Sequence, residues 1–535
     1  MKLLAALSLI PITWAWLASG SPWAALWPSI AALAAVLLTR RVISGLWLGA
    51  FCGALLLAHG NPLTAALDLP LRYAIPALTD RWNVCVILFT LSMGGFVALL
   101  EAAGGMAALA DRLTRLSAHP RRSAETGAAL LGLACFYDGL ANSVLVGRIM
   151  RPIADRNGVP RLRLAYLVDS LSSPVACLAF VSTWIAYQLS MIQKGYEQAG
   201  LTANPYEVFL HSIPFNFYCW FALGLVALVI WRQWNLGPLR QALPTPTPPD
   251  LSSPATPPPF LLTRAILPVL LLASALILGL FFSGRQPDDP LNAQTIARAF
   301  GQAPADLVMV VACLSASALA AILLPCRPGQ PPAGDIFVQG MTNLFPPVLI
   351  LIAAWSLSAT LKELGAAAVL ADLVSHHLPI ALLPLTIFLL GAAIAFGTGT
   401  SWGTMGILMP LALPVALTTG QADPTLITAT VGAVFSGAVF GDHASPLSDT
   451  TIVSAAACGV DPLDHVKTQL PYALLAAAAA ATLGFLPVGF GLTPWAALFL
   501  GLSSLGTLSW TATRPAQHQR NRRSTSSSGG SPSRS

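Results

Sequence analysis

Charge is what this sequence has least of. Only 9% of its 535 residues are Asp, Glu, Lys or Arg, against about a quarter in soluble globular chains. Hydrophobic residues make up 55%, and mean hydropathy is +0.69. So few charges cannot cover a water-facing surface, so soluble enzymes, nucleic-acid binders and secreted scaffolds fit poorly. CxxC spacing is also missing. The eight cysteines lie mostly in apolar runs, as small packing residues do, and give no support to a transition-metal or redox site. No nucleotide-binding glycine loop occurs, so ATP-driven work would need a separate partner, and no cofactor is expected. Five arginines after Thr513 supply most of the net charge of +6, which leaves a nearly neutral body.

What is present is length and apolarity. Runs of the roughly 17–25 residues that span a bilayer recur near 3–19, 23–39, 42–59, 84–108, 164–192, 207–231, 263–283, 307–325, 342–362, 425–457, 470–488 and 493–511. The first has Lys2 before an apolar core and small residues near Ser19, like a signal peptide. A second span follows at once, so an uncleaved anchor is expected. The class is an all-α polytopic membrane protein of about twelve spans.

Basic loops orient these spans by the positive-inside rule. With Lys2 cytoplasmic, Arg40-Arg41 lies inside, 60–83 outside, and Arg112 inside again. The apolar stretch 124–147 then sits between two basic loops, 112–122 and 148–163, that both belong inside. One crossing cannot satisfy both. A re-entrant hairpin can, with Phe136-Tyr-Asp-Gly-Leu-Ala-Asn142 at its turn. Both termini then fall in the cytoplasm of a cell whose inner membrane holds the chain.

Gly104-Gly-Met-Ala-Ala-Leu-Ala-Asp111 is matched by Gly365-Ala-Ala-Ala-Val-Leu-Ala-Asp372, and Phe136-Tyr-Asp-Gly139 by Phe396-Gly-Thr-Gly399. Ser173-Pro174 with Ser182 corresponds to Ser445-Pro446 with Ser454. The shared order is helix, glycine-broken hairpin, helix interrupted at Ser-Pro. The topology makes the repeats inverted, and inverted repeats with broken helices describe secondary transporters. The chain thus divides into helices 1–83, a first repeat 84–232, a proline-rich linker 233–262, connecting helices 263–341, a second repeat 342–490 with its hairpin near 379–417, a last span 491–513 and a disordered basic tail 514–535.

Asp138, Asp169, Asp442 and Asp449 fall within apolar stretches. Each Asp at a helix centre costs about 3 kcal/mol on insertion scales, so all four need partners or a function. Asp169 has Arg161 and Arg163 close in the chain and is as readily a paired structural residue. Gly397-Thr-Gly-Thr-Ser-Trp-Gly-Thr404 puts three glycines and four hydroxyl residues into eight positions. Glycine frees backbone carbonyls, and non-helical backbone at this depth must line protein or a cavity. Carbonyls and the hydroxyls of Thr398, Thr400 and Ser401 are hard ligands suited to Na+; a small-residue packing surface is the plainer alternative. Asn142 and Ser143 are the matching polar residues of the first hairpin. In Gly441-Asp-His-Ala-Ser-Pro-Leu-Ser-Asp-Thr-Thr451, Pro446 breaks the helix beside Ser445, Ser448, Asp442 and Asp449. That cluster suits a small cation or protons. His443 is equally a step on a proton path or a structural residue.

This segment, followed by Asp461-Pro-Leu-Asp-His-Val-Lys-Thr-Gln-Leu-Pro-Tyr472, resembles the C-terminal signature of the NhaC family of sodium/proton antiporters. Thr398-Gly-Thr-Ser-Trp-Gly403 and Asn142 with Asp138 match further family positions, and the resemblance covers roughly 84–490. It implies an ion-transporter fold, with two hairpins and two broken helices as a mobile unit. It implies Na+ (or Li+ or K+) and H+ as substrates, or small organic anions such as malate and lactate, which relatives exchange. A homodimer is a candidate assembly. Where the family often pairs acids in the first hairpin, this chain has Tyr137-Asp138. Two other classes compete: a channel, and an intramembrane aspartyl protease. The protease fits Tyr137-Asp138 but has valine in place of the first glycine in Val439-Phe-Gly-Asp442.

Overall fold

The computed structural model describes residues 8–39, 41–105, 112, 119–244, 260–286, 299, 303–325, 329–366, 368–369, 372, 379–419, 423–446 and 448–526. Helix is the only regular secondary structure among them. The N-terminal part is α1 (Leu9–Ser19), α2 (Trp27–Thr39) and α3 (Val42–Leu57). The stretch expected as an outside loop, 60–83, is instead largely helical from Pro62 to Thr79. Asn61 caps its start by accepting from the N–H groups of Leu63 and Thr64. Apolar side chains such as Leu63 and Leu71 stay exposed along it, as on a surface that faces lipid tails.

The first repeat runs α4 (Arg81–Ala103), α5 (Pro120–Ala134), α6 (Gly139–Arg156), α7 (Arg161–Leu178), α8 (Thr183–Gln198), α9 (Pro205–Ser212) and α10 (Phe217–Arg232). Connecting helices follow: α11 (Phe260–Gly284), α12 (Ala305–Ile322) and α13 (Ala333–Asn343). The second repeat is α14 (Phe345–Glu363), α15 (Leu383–Thr398), α16 (Ser401–Thr419), α17 (Pro424–Ala444), α18 (Asp449–Cys458) and α19 (Pro462–Ala479). The chain closes with α20 (Pro494–Ser526). Among the described residues nine helices are long and apolar enough to cross a membrane singly, and three shorter apolar helices precede them. This is a multi-pass membrane protein.

The repeat read from sequence has a structural counterpart. α4 and α14 end the same way, at Gly104 (φ +72°) and Gly365 (φ +70°), in the left-handed conformation that glycine adopts without strain. Each glycine N–H returns to the helix just finished, on Glu101 and Lys362 carbonyls. A helical hairpin follows in both halves, α5–α6 and α15–α16, and then a broken helix, α7–α8 and α17–α18.

Three expectations need correcting. The run 164–192 is an interrupted helix, as expected, made of α7 and α8 bent by 48°, but its break is not at Ser173-Pro174: Pro174 lies inside α7, and the helix opens at 179–182. The reason is local capping, because Ser182 accepts from the N–H groups of Trp184 and Ile185 and starts α8 there. The linker is not wholly free of structure either. Of 233–262, residues 245–259 lie outside the described set, but Trp234 and Leu239 are buried. The Tyr472 hydroxyl pins that start, accepting from Leu236 N–H at 2.6 Å. Finally, α20 continues to Ser526 where disorder was expected from 514.

The arginines of α7 are committed away from Asp169. Arg163, fully buried, pairs with Glu125 of α5 at 2.7 Å and donates to the Val229 carbonyl of α10 at 2.8 Å. Arg161 pairs with Asp155 at 2.8 Å. α17 lies so close to the second hairpin that a Cβ on Gly441 would overlap the Ala395 and Phe396 backbone. Gly441→Ala is therefore expected to lower the detergent melting temperature, by an overpacking cost of about 1–3 kcal/mol. Gly506→Ala, which has open space around it, should leave the temperature unchanged. Equal melting of the two variants would mean the hairpin is not seated on α17 in this way.

Candidate functional site

Pro446 determines the local geometry. It has no N–H to give to the carbonyl four residues back, that of Asp442, so α17 ends at Ala444. Carbonyls orphaned at this helix end are capped by side chains. The Asp442 carbonyl accepts from Thr451 Oγ1 at 3.0 Å and Thr450 Oγ1 at 3.4 Å, and the His443 carbonyl from Gln469 Nε2. The Asp442 carboxylate is held as well: Ser448 donates to one oxygen at 2.7 Å and Ser173 of α7 to the other at 2.6 Å. Ser445 is fully buried in the same break. Asp449 differs. It stands in the first turn of α18 and is exposed.

The first break is clasped by the first hairpin. The Thr183 N–H donates to the Tyr137 carbonyl at 2.9 Å, and Thr183 Oγ1 to Asp138 at 2.7 Å. Asn142 closes the hairpin by donating to the Gly132 carbonyl at 2.7 Å, while its buried Oδ1 has no hydrogen-bond partner. Ser143 reaches the other repeat, its hydroxyl 2.9 Å from that of Ser454 of α18.

The second hairpin reaches α17 through its backbone, and its hydroxyls mostly bond within the hairpin. Thr398 donates to the Ile394 carbonyl, Thr404 to the Thr400 carbonyl, and Thr400 Oγ1 accepts from Gly403 N–H. Ser401 is buried at the start of α16. Gly399, at φ +70°, makes the turn. The tip is tied to α8, since Tyr187 stacks on Trp402 at 4.4 Å and donates to its carbonyl at 2.6 Å.

Asp169, which the sequence left as readily a paired structural residue, is held here by the other repeat. It is 1% exposed, and one oxygen faces His465 Nε2 and Thr451 Oγ1, each at 3.2 Å, and Gln469 Nε2 at 2.5 Å. The other accepts from Ser454 at 3.3 Å. His443 lies between Ser170 Oγ (2.8 Å) and the Tyr218 hydroxyl (2.6 Å). One available signal pointed here: His465 and Gln469 are four apart in the motif at 461–472, hence on one helical face. Nothing local marked Ser173 or Thr451 as partners of acids more than 250 residues away.

Each acid therefore sits on one repeat and is held from the other. Asp442 of α17 takes a hydroxyl from α7, and Asp169 of α7 takes donors from α18 and α19. The result is a buried, oxygen-rich polar centre between the two broken helices.

Comparison with known proteins agrees with the resemblance read from the motif. Residues 175–490 match the Na+/H+ antiporter family. An uncharacterized protein of Haemophilus influenzae is 32% identical over 502 residues, 90% of this chain and 94% of that one. The malate-2H+/Na+-lactate antiporter of Bacillus subtilis is 33% identical over 156 residues, 29% of this chain and 32% of that protein. Among solved structures, the YdaH transporter of Alcanivorax borkumensis shares the fold at TM-score 0.55 and 15% identity, covering 79% of this chain and 90% of that one. With more than half its length matched, the chain belongs to the Na+/H+ antiporter family.

Proposed function

We propose that this protein exchanges Na+ for H+ across the cell's inner membrane, driven by the ion gradients, with Asp442 as the coupling carboxylate. The observation that carries this is the Asp442 cage: a buried acid at a proline-broken helix end, with hydroxyls on both oxygens and its own carbonyl freed from the helix. A carboxylate must be ionised to bind Na+ and protonated to carry H+. One site that does both makes the two ligands compete, and competition alone couples their opposed fluxes.

The remaining acids take supporting roles. Asp449 is exposed at the first turn of α18. An ionised acid is too costly to face hydrocarbon, so it marks the water-filled approach to the cage and gathers cations there. Asp138, held by Thr183 at the first hairpin tip, adds an acid from the other repeat. Thr398, Thr400, Ser401, Ser445 and Ser448 line the route with oxygen. The repeats are inverted, the hairpins re-entrant, and both termini cytoplasmic.

A second function has one supporting observation, the kinship with a malate/lactate antiporter. In that case the same centre would couple Na+ or H+ to a small organic anion. Purified protein in liposomes separates the two. Proton efflux on addition of Na+, Li+ or K+ without organic acid is the expected result; flux that needs malate or lactate would replace the antiporter by the organic exchanger. Asp442→Asn should abolish cation-driven proton flux, whereas Asp449→Asn should raise the apparent KM for Na+ several-fold and keep most of the maximal rate. Wild-type exchange in Asp442→Asn would remove the site. Cysteines placed at His119 and Arg156 should both label from the cytoplasmic face; labelling from opposite faces would make α5–α6 a crossing pair instead of a hairpin.

A further inference from the structure

The cage around Asp442 and the cluster around Asp169 share one hydroxyl. Thr451 is fully buried, and its Oγ1 lies 3.0 Å from the Asp442 carbonyl oxygen and 3.2 Å from Asp169 Oδ2. Both neighbours are acceptors, and a hydroxyl has one proton to donate. Thr451 can serve the Asp442 carbonyl or the Asp169 carboxylate, never both fully. Gln469 repeats the bridge, since its Nε2 donates to Asp169 and to the His443 carbonyl, while its buried Oε1 has no partner.

We infer that Asp169 is a second coupling acid of the exchange, and that Thr451 is the positioning residue through which its charge state reaches the cation site at Asp442. This rests on the Na+/H+ exchange proposed above. When Asp169 is ionised it draws the Thr451 hydroxyl, which opens one lone pair of the Asp442 carbonyl to a cation and leaves only the longer bond from Thr450 at 3.4 Å on that oxygen. When Asp169 is protonated it becomes a donor itself, and Thr451 turns to the carbonyl and occupies the lone pair that Na+ would use. Proton binding at one acid thus blocks cation binding at the other through a single rotating hydroxyl.

The groups facing Asp169 are identified. α19 presents His465, whose Nε2 touches the carboxylate and whose buried Nδ1 is without a partner. α17 presents His443 and Asp442, α18 presents Cys458, and α10 presents Tyr218. α6 brings Ser143 next to Ser454 and Arg151 near Cys458. On α7 and α5, Arg163 and Glu125 are spent on each other. The fixed arginines therefore do not neutralise this acid in place.

The test uses the full chain in liposomes, with the apparent KM for Na+ measured from about pH 6 to pH 9. In the wild type it should rise steeply on acidification, as competition requires. Thr451→Val keeps the shape and removes the hydroxyl, and should flatten that rise at least about threefold while Na+ still drives proton flux. Thr451→Ser should restore it, which a purely structural role for the methyl-bearing side chain would not do. Asp169→Asn, with its charge fixed at zero, should lose exchange about as fully as Asp442→Asn. A Thr451→Val protein with the wild-type pH dependence, or an Asp169→Asn protein with wild-type flux, overturns the inference. If Asp442→Asn loses flux while those two remain normal, only this inference fails. If Asp442→Asn itself exchanges normally, the parent proposal fails. Should Thr451→Val not assemble, the Ser and Asp169→Asn variants still decide.

Discussion

The structure depends on one constraint: a helix broken in the middle of a membrane protein must find protein partners for the carbonyls it orphans. Hydrocarbon offers none, and each unsatisfied group costs several kcal/mol. Pro446 creates the problem at Asp442, and the side chains of α18 and α19 solve it. Much else follows from that solution. α19 must cross where Gln469 can reach the His443 carbonyl, and α18 must begin directly after the break so that Thr450 and Thr451 face back towards α17. The acid adds a second demand. Charge-assisted hydrogen bonds contribute about 1.5–3 kcal/mol each, so the two hydroxyls on the Asp442 carboxylate roughly offset an insertion cost of about 3 kcal/mol.

That offset depends on the two repeats staying in contact. Ser173 belongs to the first repeat and Asp442 to the second, while Asp169 and its donors are arranged the opposite way. Sliding one broken helix past the other would strip a donor from each acid at once. An ionised acid deprived of a donor must then find a cation, a proton or its old partner. A ligand can shift such an equilibrium only by binding its states differently. In the proposed exchange the difference would come from the hydroxyls each acid takes from the opposite repeat. Movement and occupancy would thereby be linked without any separate transmission element.

The sequence disclosed those features whose causes are local. Apolar length marked the spans, and glycine after α4 and α14 marked a shared left-handed stop. Pro446 marked its break because the missing N–H and the freed carbonyl are only four residues apart. The same logic misled at Pro174. A proline inside a helix bends it without opening it when a better start lies nearby, and Ser182 supplies that start. The acids were harder to rank. Asp169 looked paired because Arg161 and Arg163 precede it on the same helix, yet Arg163 finds its acid 38 residues back, on α5. The donors to Asp169 lie 282 to 300 residues ahead. No periodicity in a single chain encodes a separation of that size. The spacing of the second hairpin's hydroxyls suits ligands and suits back-bonding to the preceding turn equally well, and Thr398 and Thr404 do back-bond.

The arginine that seemed to explain Asp169 is in fact what leaves it available. Had Arg163 reached Asp169, a permanent positive charge would sit on that acid, and no proton or cation could compete for it at ordinary pH. A buried ion pair of this kind is held firmly, since removing either partner strands a charge at a cost of about 3–5 kcal/mol. Glu125 captures the guanidinium instead, in a fully buried pair at 2.7 Å that also takes in the Val229 carbonyl. What surrounds Asp169 in consequence is hydroxyls, an amide and an imidazole, groups that reorient or exchange protons. A structural pair one to two turns away thus keeps Asp169 without a fixed counter-charge, which is what the coupling role proposed for it requires, since only such an acid can hand its charge to a moving ion.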